Sequence, residues 1–356
     1  MTDRAAPSAS AEAPDEAAAL AAIRAGDHAA FAALAERYRR RLHVHCYRML
    51  GSFDDAEDLV QDTLLRAWRG RDGFEGRSLF RTWLYRIATN ACLSALERAP
   101  RRVLPQDVVA PVTATTDASA ARPTPGSAPD IPWLQPYPDH LLEVAAPSDR
   151  EPDAILASRQ TIELVFLAAL QHLPPRSRAI LILCDVLGWS AKEVAALLEL
   201  TVASVTSALQ RAHTTLRERL PAGRLDQTAP SAPSDDERAL LAAFMAAWNR
   251  ADVAALTALL RDDARWAMPP APLWFDGRDA IARLLALYPM DFHGAITMVP
   301  TAANRQPAAA AYLRPHGQAV SRLSGIHVLR IEAGAIAEIT TFSAALCAGF
   351  GLAPTL

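Results

Sequence analysis

Apolar positions along this chain recur first at helical spacing and, late in the sequence, at alternating spacing. Between Asp54 and Trp68, residues Ala56, Leu59, Val60, Thr63, Leu64, Ala67 and Trp68 fall at intervals of three and four, one face of an α-helix. Acids crowd its first turns, where the helix dipole favours negative charge, and Arg66 and Arg69 close the other end. Asp55, Asp58 and Asp62 share a face away from the stripe. Upstream, Phe31, Leu34, Tyr38, Leu42, Cys46 and Met49 predict a long amphipathic helix with Arg37, Arg39, Arg40 and Arg41 outward, stopped at Gly51 by a C-terminal cap. Downstream, Leu79 to Arg98 predicts a helix with Phe80, Leu84, Ile87, Ala88 and Ala91 inward. Arg81, Trp83, Tyr85, Arg86, Thr89 and Asn90 belong to the side left over.

Residues 100–152 are rich in Ala, Pro, Thr, Ser and Val without period, which predicts an extended, largely unstructured linker. One island interrupts it, Ile131-Pro132-Trp133-Leu134-Gln135-Pro136-Tyr137-Pro138-Asp139, whose rings suit docking on a folded surface. Helical spacing resumes at Asp153, with Ile155, Ile162, Val165, Phe166 and Leu170 on one stripe. Pro174-Pro175 opens a further helix, apolar from Ala179 to Leu187 and ended by Gly188. Ser190 to Glu193 is a capping box for a helix burying Val194, Ala195, Leu197 and Leu198. Thr201 caps a last helix through Val205, Leu209, Ala212 and Leu216. Two short helices joined at Glu199-Leu200 describe a helix-turn-helix, with Ser204, Thr206, Ser207, Gln210, Arg211 and His213 on the free face.

Past a second linker at 221–234, helical stripes run through Leu240, Leu241, Phe244, Ala247 and Trp248, then Val253, Leu256, Leu259 and Leu260. Arg265 to Met268 reads as a strand, Gly277-Arg278-Asp279 opens a helix, and strands follow at 295–299, 308–313, 325–331 and 336–341. Helices followed by a run of strands indicate an α+β domain with a curved antiparallel sheet. The expected organisation is a tail at 1–14, two all-α domains at 15–99 and 153–220, and an α+β domain at 235–356.

Composition narrows the chemistry. A net charge of −3 over 356 residues excludes a global basic excess, so nucleic-acid binding has to come from local patches. Cys46, Cys92, Cys184 and Cys347 form no C-x-x-C pair, which predicts reduced thiols in a cytoplasm and neither a disulfide framework nor a structural zinc. His43-Val44-His45-Cys46 has the wrong spacing for two ligands on one helical face, so no metal and no cofactor are expected. No apolar run is long enough to span a bilayer, and the Ala/Ser/Pro/acid-rich N-terminus lacks the basic and apolar regions of a signal peptide, so a soluble cytoplasmic protein without membrane contact is expected. Arg81 and Arg86 interleaved with Trp83 and Tyr85, with Asn90 alongside, suit single-stranded DNA: cations track phosphate and rings stack with bases. Phe74, in the Gly73 to Ser78 loop, could hold an unstacked base. On the helix-turn-helix, Gln210 and Arg211 have the donors to read adenine and guanine.

The order DDAEDLVQDTLLRAW, a loop with Gly and Phe, then FRTWLYRIATNACLSAL resembles region 2 of the extracytoplasmic-function group of bacterial sigma-70 factors. LPPRSRAILIL, followed by GWSAKEVAALLELTVASVTSALQRAHTTLRERL, resembles region 4 of the same group. The resemblance implies that Asp55, Asp58, Gln61 and Asp62 dock on the clamp helices of the RNA polymerase largest subunit. It also implies that the second helix reads the promoter −10 element and the helix-turn-helix the −35 element. Thr206 and Gln210 stand where many relatives carry basic or larger side chains, so the −35 sequence is not readable. PPAPLWFDGRDAI and HVLRIEAGAIAEITTF resemble the SnoaL-like members of the NTF2-like cone fold, with Trp266, Met268, Trp274, His293, Arg314, His316 and His327 as candidate pocket lining. The whole resembles sigma factors with such a domain fused in place of a separate anti-sigma protein, in which Trp133 and Tyr137 would make the regulatory contact. Core RNA polymerase and promoter DNA are the implied partners, with an unidentified small ligand for the cone. The alternative is a small-molecule-binding or polyketide-cyclase-like enzyme on a helical tether; no residue matches a catalytic arrangement.

Overall fold

A computed structural model of the chain describes residues 13–74, 79–115, 131–143, 162–220, 234–287 and 294–356. The expected tail up to residue 12, most of the Gly73 to Ser78 loop, Ile155, the 221–233 tether and His293 lie outside them. The first helical domain holds α1 (Ala13–Arg24), α2 (His28–Leu50), α3 (Phe53–Arg69) and α4 (Phe80–Leu96). A short α5 (Asp139–Glu143) ends the aromatic island. The second helical domain holds α6 (Leu164–Gln171), α7 (Pro175–Leu181), α8 (Ala191–Leu198) and α9 (Val202–Arg219). The C-terminal domain sets α10 (Asp235–Asn249), α11 (Val253–Ala258) and α12 (Arg278–Leu287) on a sheet of β1 (Leu260–Ala267), β2 (Trp274–Asp276), β3 (Gly294–Ala303), β4 (Gln306–Pro315), β5 (Arg322–Glu332) and β6 (Ala335–Ser343).

Local chemistry sets most element ends. Asp27 caps α2, accepting from the Ala29 and Ala30 amides at 2.8 and 3.0 Å. Gly51 ends α2 at φ 71, and its amide donates to the Tyr47 carbonyl. A Cβ there would lie 2.7 Å from the Leu134 side chain, so packing as well as φ requires glycine. The Ser190–Glu193 capping box and the Thr201 cap both form. The apolar run from Ala179 is not one α-helix: α7 stops at Leu181 and Ile182–Val186 is a π turn. Strand β1 starts earlier than its alternation predicts, and β2 was not legible in the sequence, being only three residues long.

The sheet order is β2-β1-β6-β5-β4-β3, antiparallel except for β1 with β6. Strand β4 is buried without a break from Gln306 to Tyr312, because both its faces are covered. Ala309 and Ala311, with Leu329, Ile336 and Ile339, face a core that includes Leu241, Phe244, Leu256 and Ile281 of the helices α10–α12. Ala308, Ala310 and Tyr312, with Ile326, Val328 and Phe342, join the core of the two helical domains. Alanines at the crossing strand let both layers approach closely. The C-terminal domain is thus packed into the helical domains.

Helix α2 lies at the centre of this assembly. Every residue from His43 to Leu50 is buried, although the sequence predicted a single stripe. Neighbouring helices, the linker and the second helical domain surround this half of α2. The linker also departs from the expected unstructured segment. Among the described residues, Val103 bridges Trp133, Val112 bridges Phe275 on β2, and Pro138 bridges Ala303 on β3. Val103, Leu104, Val112, Trp133, Leu134 and Tyr137 are buried. Its partners are remote in sequence, so no local periodicity announces them.

Candidate functional site

The three parts of the chain meet at the turn between β3 and β4. Asn304 and Arg305 have φ values of 57 and 60, the left-handed pair of a two-residue hairpin. Asn304 is completely buried. Its amide donates to the Tyr137 carbonyl at 2.9 Å, and its Oδ1 accepts from the Tyr137 amide at 2.8 Å. Its Nδ2 donates to the Tyr47 hydroxyl at 2.8 Å and to the Ile162 carbonyl at 2.7 Å. The Tyr47 hydroxyl in turn donates to the Gln135 carbonyl at 2.7 Å. In the two residues after Asn304, the Arg305 amide donates to Asp139 Oδ1 at 2.8 Å and Gln306 Oε1 accepts from the Leu164 amide at 3.0 Å. One turn of the sheet domain therefore satisfies backbone groups of the linker and of the start of the second helical domain, together with a buried tyrosine of α2. Sequence reasoning missed Asn304 and Gln306; the Asn-Arg dipeptide between two strand runs was the available signal.

Tyr137 packs against His43, Tyr47 and Phe53, at ring separations of 5.4, 4.7 and 5.5 Å. His43 Nδ1 is 2.9 Å from its hydroxyl. Trp133 is buried, and its carbonyl accepts from Arg102 at 3.2 Å. Gln135, also missed, covers the start of α3: its Oε1 accepts from the Phe53 and Asp54 amides at 2.6 and 3.1 Å and from the Ser52 hydroxyl at 3.1 Å. The first amides of a helix have no internal acceptor, and Gln135 supplies one from the linker.

The acidic face of α3 is partly engaged. Asp55 pairs with Arg102 of the linker, Asp62 pairs with Arg66 at 2.7 Å, and Gln61 donates to Glu57 at 3.3 Å. Asp58 is exposed.

Helix α4 corrects the sequence assignment of its faces. Arg86 and Asn90 are exposed and Arg81 is half-buried, but Trp83, Tyr85 and Thr89 are buried. Trp83 packs with Phe74 and Phe80 at 5.0 and 5.7 Å, because the first domain is small and its aromatics fill its own edge. Phe74 is buried with it. Tyr85 meets Trp189 of the second helical domain edge-on at 5.7 Å, and Thr89 hydrogen-bonds His45 at 2.9 Å. Beside this contact, Arg178 of α7 enters the first domain. It is buried, and donates to the Met49 carbonyl, to Gln171 Oε1 at 2.7 Å, and to the Gln171 and Leu173 carbonyls at 3.0 and 3.2 Å. Burial, and secondarily Arg101, lowers its pKa to about 10.

On α9, Ser204, Thr206, Ser207, Gln210 and Arg211 are exposed together. Arg211 donates to Ser207 at 2.7 Å. Thr206 bonds back to the Val202 carbonyl at 3.0 Å. His213 is half-buried and lies 2.6 Å from Asp185, which ties its ring to the domain's own frame.

The C-terminal candidates do not converge. Trp266 and His327 are buried, with ring centroids 6.3 Å apart, and Trp266 Nε1 and His327 Nδ1 share Thr341 Oγ1 at 2.8 and 2.9 Å. Trp274 turns to the linker, donating to the Val109 carbonyl at 2.9 Å. Met268 is half-buried; Arg314 and His316 are exposed towards the end of β4 and just beyond it. Phe244 and Trp248 complete the surroundings of His327 at 5.9 and 5.3 Å. Burial lowers the His327 pKa to about 4, so the ring is neutral. Among the described residues no group of His, Cys, Asp and Glu could hold a metal ion, and no helix is long and apolar enough to cross a membrane.

Residues 34–102 match the family model of sigma-70 region 2, residues 163–216 that of sigma-70 region 4, and residues 241–339 that of the SnoaL-like domain. The ECF RNA polymerase sigma factor SigG of Mycobacterium tuberculosis is 40% identical over 328 residues, 92% of this chain and 85% of the relative. SigW of Bacillus subtilis, also an ECF RNA polymerase sigma factor, is 28% identical over 198 residues, 56% of this chain and 92% of the relative. The crystal structure of the M. tuberculosis extracytoplasmic-function sigma factor SigJ has the same fold at a TM-score of 0.55 and 18% identity, covering 90% of this chain and 99% of that one. Two sigma-70 regions in order, a SnoaL-like domain behind them and a relative alike over most of both lengths assign the family: this chain belongs to the extracytoplasmic-function RNA polymerase sigma factors.

Proposed function

We propose that this sigma factor exists in a closed form, held by its C-terminal domain, that has to open for regions 2 and 4 to engage polymerase and promoter. The observation that carries this reading is Asn304, whose four hydrogen bonds join the sheet domain to region 2, the linker and the entry to region 4. The Tyr85–Trp189 contact supports it, since region 4 then covers part of the helix proposed to read the −10 element. In the open form, Asp55, Asp58, Gln61 and Asp62 dock on polymerase. Arg81, Arg86 and Asn90, with Trp83, Tyr85 and Phe74 once uncovered, face the −10 strand. Ser204, Thr206, Ser207, Gln210 and Arg211 face the −35 element, with His213 at their edge. Trp133 and Tyr137 are the linker's anchors to the closed form. The protein acts where polymerase acts, in the cytoplasm.

We assign no catalytic step to the C-terminal domain. His327 is neutral and bonded to Thr341, its pKa is lowered by burial, and among the described residues no carboxylate is paired with it as a base would require. The test is charge reversal of Asp55, Asp58 and Asp62 together, measured as affinity for core polymerase. Losing the partly exposed pairs of Asp55 with Arg102 and Asp62 with Arg66 costs little stability, about 1 kcal/mol or less each, whereas complementary charge fixes docking. The expected result is weakened binding with helix content intact; unchanged affinity would remove the docking assignment.

A further inference from the structure

The linker places a cation and an amide on the first turn of α3. Arg102 pairs with Asp55 while holding the Trp133 carbonyl at 3.2 Å, so it ties both passes of the linker to the helix. Gln135 accepts from the Phe53 and Asp54 amides and donates to the Asp54 carboxylate at 2.8 Å. Arg102 is 23% exposed and Asp55 46%, so the pair lies at the rim of the packed junction, reachable by a partner.

We infer that Arg102 is a built-in competitor for the docking face: it occupies on Asp55 the place that a basic side chain of the polymerase takes, and polymerase binding has to displace it. This rests on the reading of α3 as the docking element. A carboxylate cannot hold a linker guanidinium and a partner's cation in the same direction without like-charge repulsion. The pair is partly exposed, and ion pairs reached by solvent contribute little, so the competition tunes affinity instead of blocking it. Gln135 keeps the first turn of α3 capped whether or not Arg102 is engaged, which lets the salt bridge open without unwinding the helix.

The experiment measures affinity of the full chain for core polymerase in a cycle of Arg102→Ala, Asp55→Ala and the double variant. Arg102→Ala should bind about two- to fivefold tighter, the range of an exposed ion pair. Arg102→Glu, which sets an acid against Asp55, should bind at least as tightly as Arg102→Ala. Asp55→Ala should weaken binding more in the Arg102→Ala background than in the parent, since Asp55 there starts free. A general loosening of the linker would not produce that coupling. Equal or weaker binding of Arg102→Ala, or zero coupling, overturns the inference. Should reversal of the three acids also leave affinity unchanged, the docking reading itself fails; should reversal weaken binding while Arg102→Ala is neutral, only the competition fails.

Discussion

Asn304 sits in no motif and on no apolar stripe, yet its side chain and backbone serve three parts of the molecule. Asn304→Ala should leave the Tyr137 amide and the Ile162 carbonyl without acceptor or donor in a buried site, at a cost on the order of 2–4 kcal/mol. The measurements are the urea midpoint and proteolysis of the linker, which should be cut faster. An unchanged midpoint would mean that the turn is incidental. Single residues also set a pH response. Burial holds His45 at about 3 and His327 at about 4, against 6.5 for the free side chain. Below pH 6.5 the unfolded chain takes up protons that the folded chain refuses, so stability is complete above that value and falls as pH drops. Each group contributes up to about 1.4 kcal/mol per pH unit. Urea midpoints at pH 7, 6 and 5 should decline in that order, and His45→Gln should flatten the decline; a midpoint constant from pH 7 to 5 would contradict both assignments.

Among the elements, α9 presents Ser204, Thr206, Ser207, Gln210 and Arg211 of its expected polar face, with His213 drawn inward to Asp185, because Val205, Ala208, Ala212 and Leu216 are buried within region 4 itself. Replacing Gln210 or Arg211 by Ala should cost on the order of 1–3 kcal/mol at a preferred −35 sequence if either makes a bidentate base contact. Binding measured across a promoter series distinguishes this from phosphate contact, where the loss is uniform. Helix α4 behaves differently. Its period is clear, but which aromatics face outward depends on Trp189 and on the Phe74–Phe80–Trp83 cluster. A stripe count assigns a helix an inner face; it cannot assign a second one created by another domain.

At the scale of the whole molecule, the sheet is shared. Its outer apolar half, with Ala308, Ala310, Tyr312, Ile326 and Val328, belongs to the same core as the helical domains. Ending the chain after Arg224 should therefore expose that junction, expand the molecule and raise its affinity for core polymerase, while promoter-specific transcription changes. Small-angle scattering reads the expansion and in vitro transcription with purified core enzyme the activity. A truncated chain as compact and as active as the parent would refute the closed-form reading. Replacing Trp133 by Ala should reproduce part of the effect.

Legible in the sequence were most helices of regions 2 and 4, the caps at Gly51, Ser190 and Thr201, the helix-turn-helix and the later strands of the C-terminal domain. Those depend on periodicity and on residues a few positions apart. Only the tertiary structure decided that the linker is ordered around Val103, Trp133 and Tyr137, that Gln135 caps α3, and that Tyr85 and Trp83 are covered. It also separated Arg314, His316 and Trp274 from His327. Each of these is a contact between residues far apart in the chain or a burial imposed by another domain. The free energy that selects them comes from surfaces that exist only once the separate elements have folded and met.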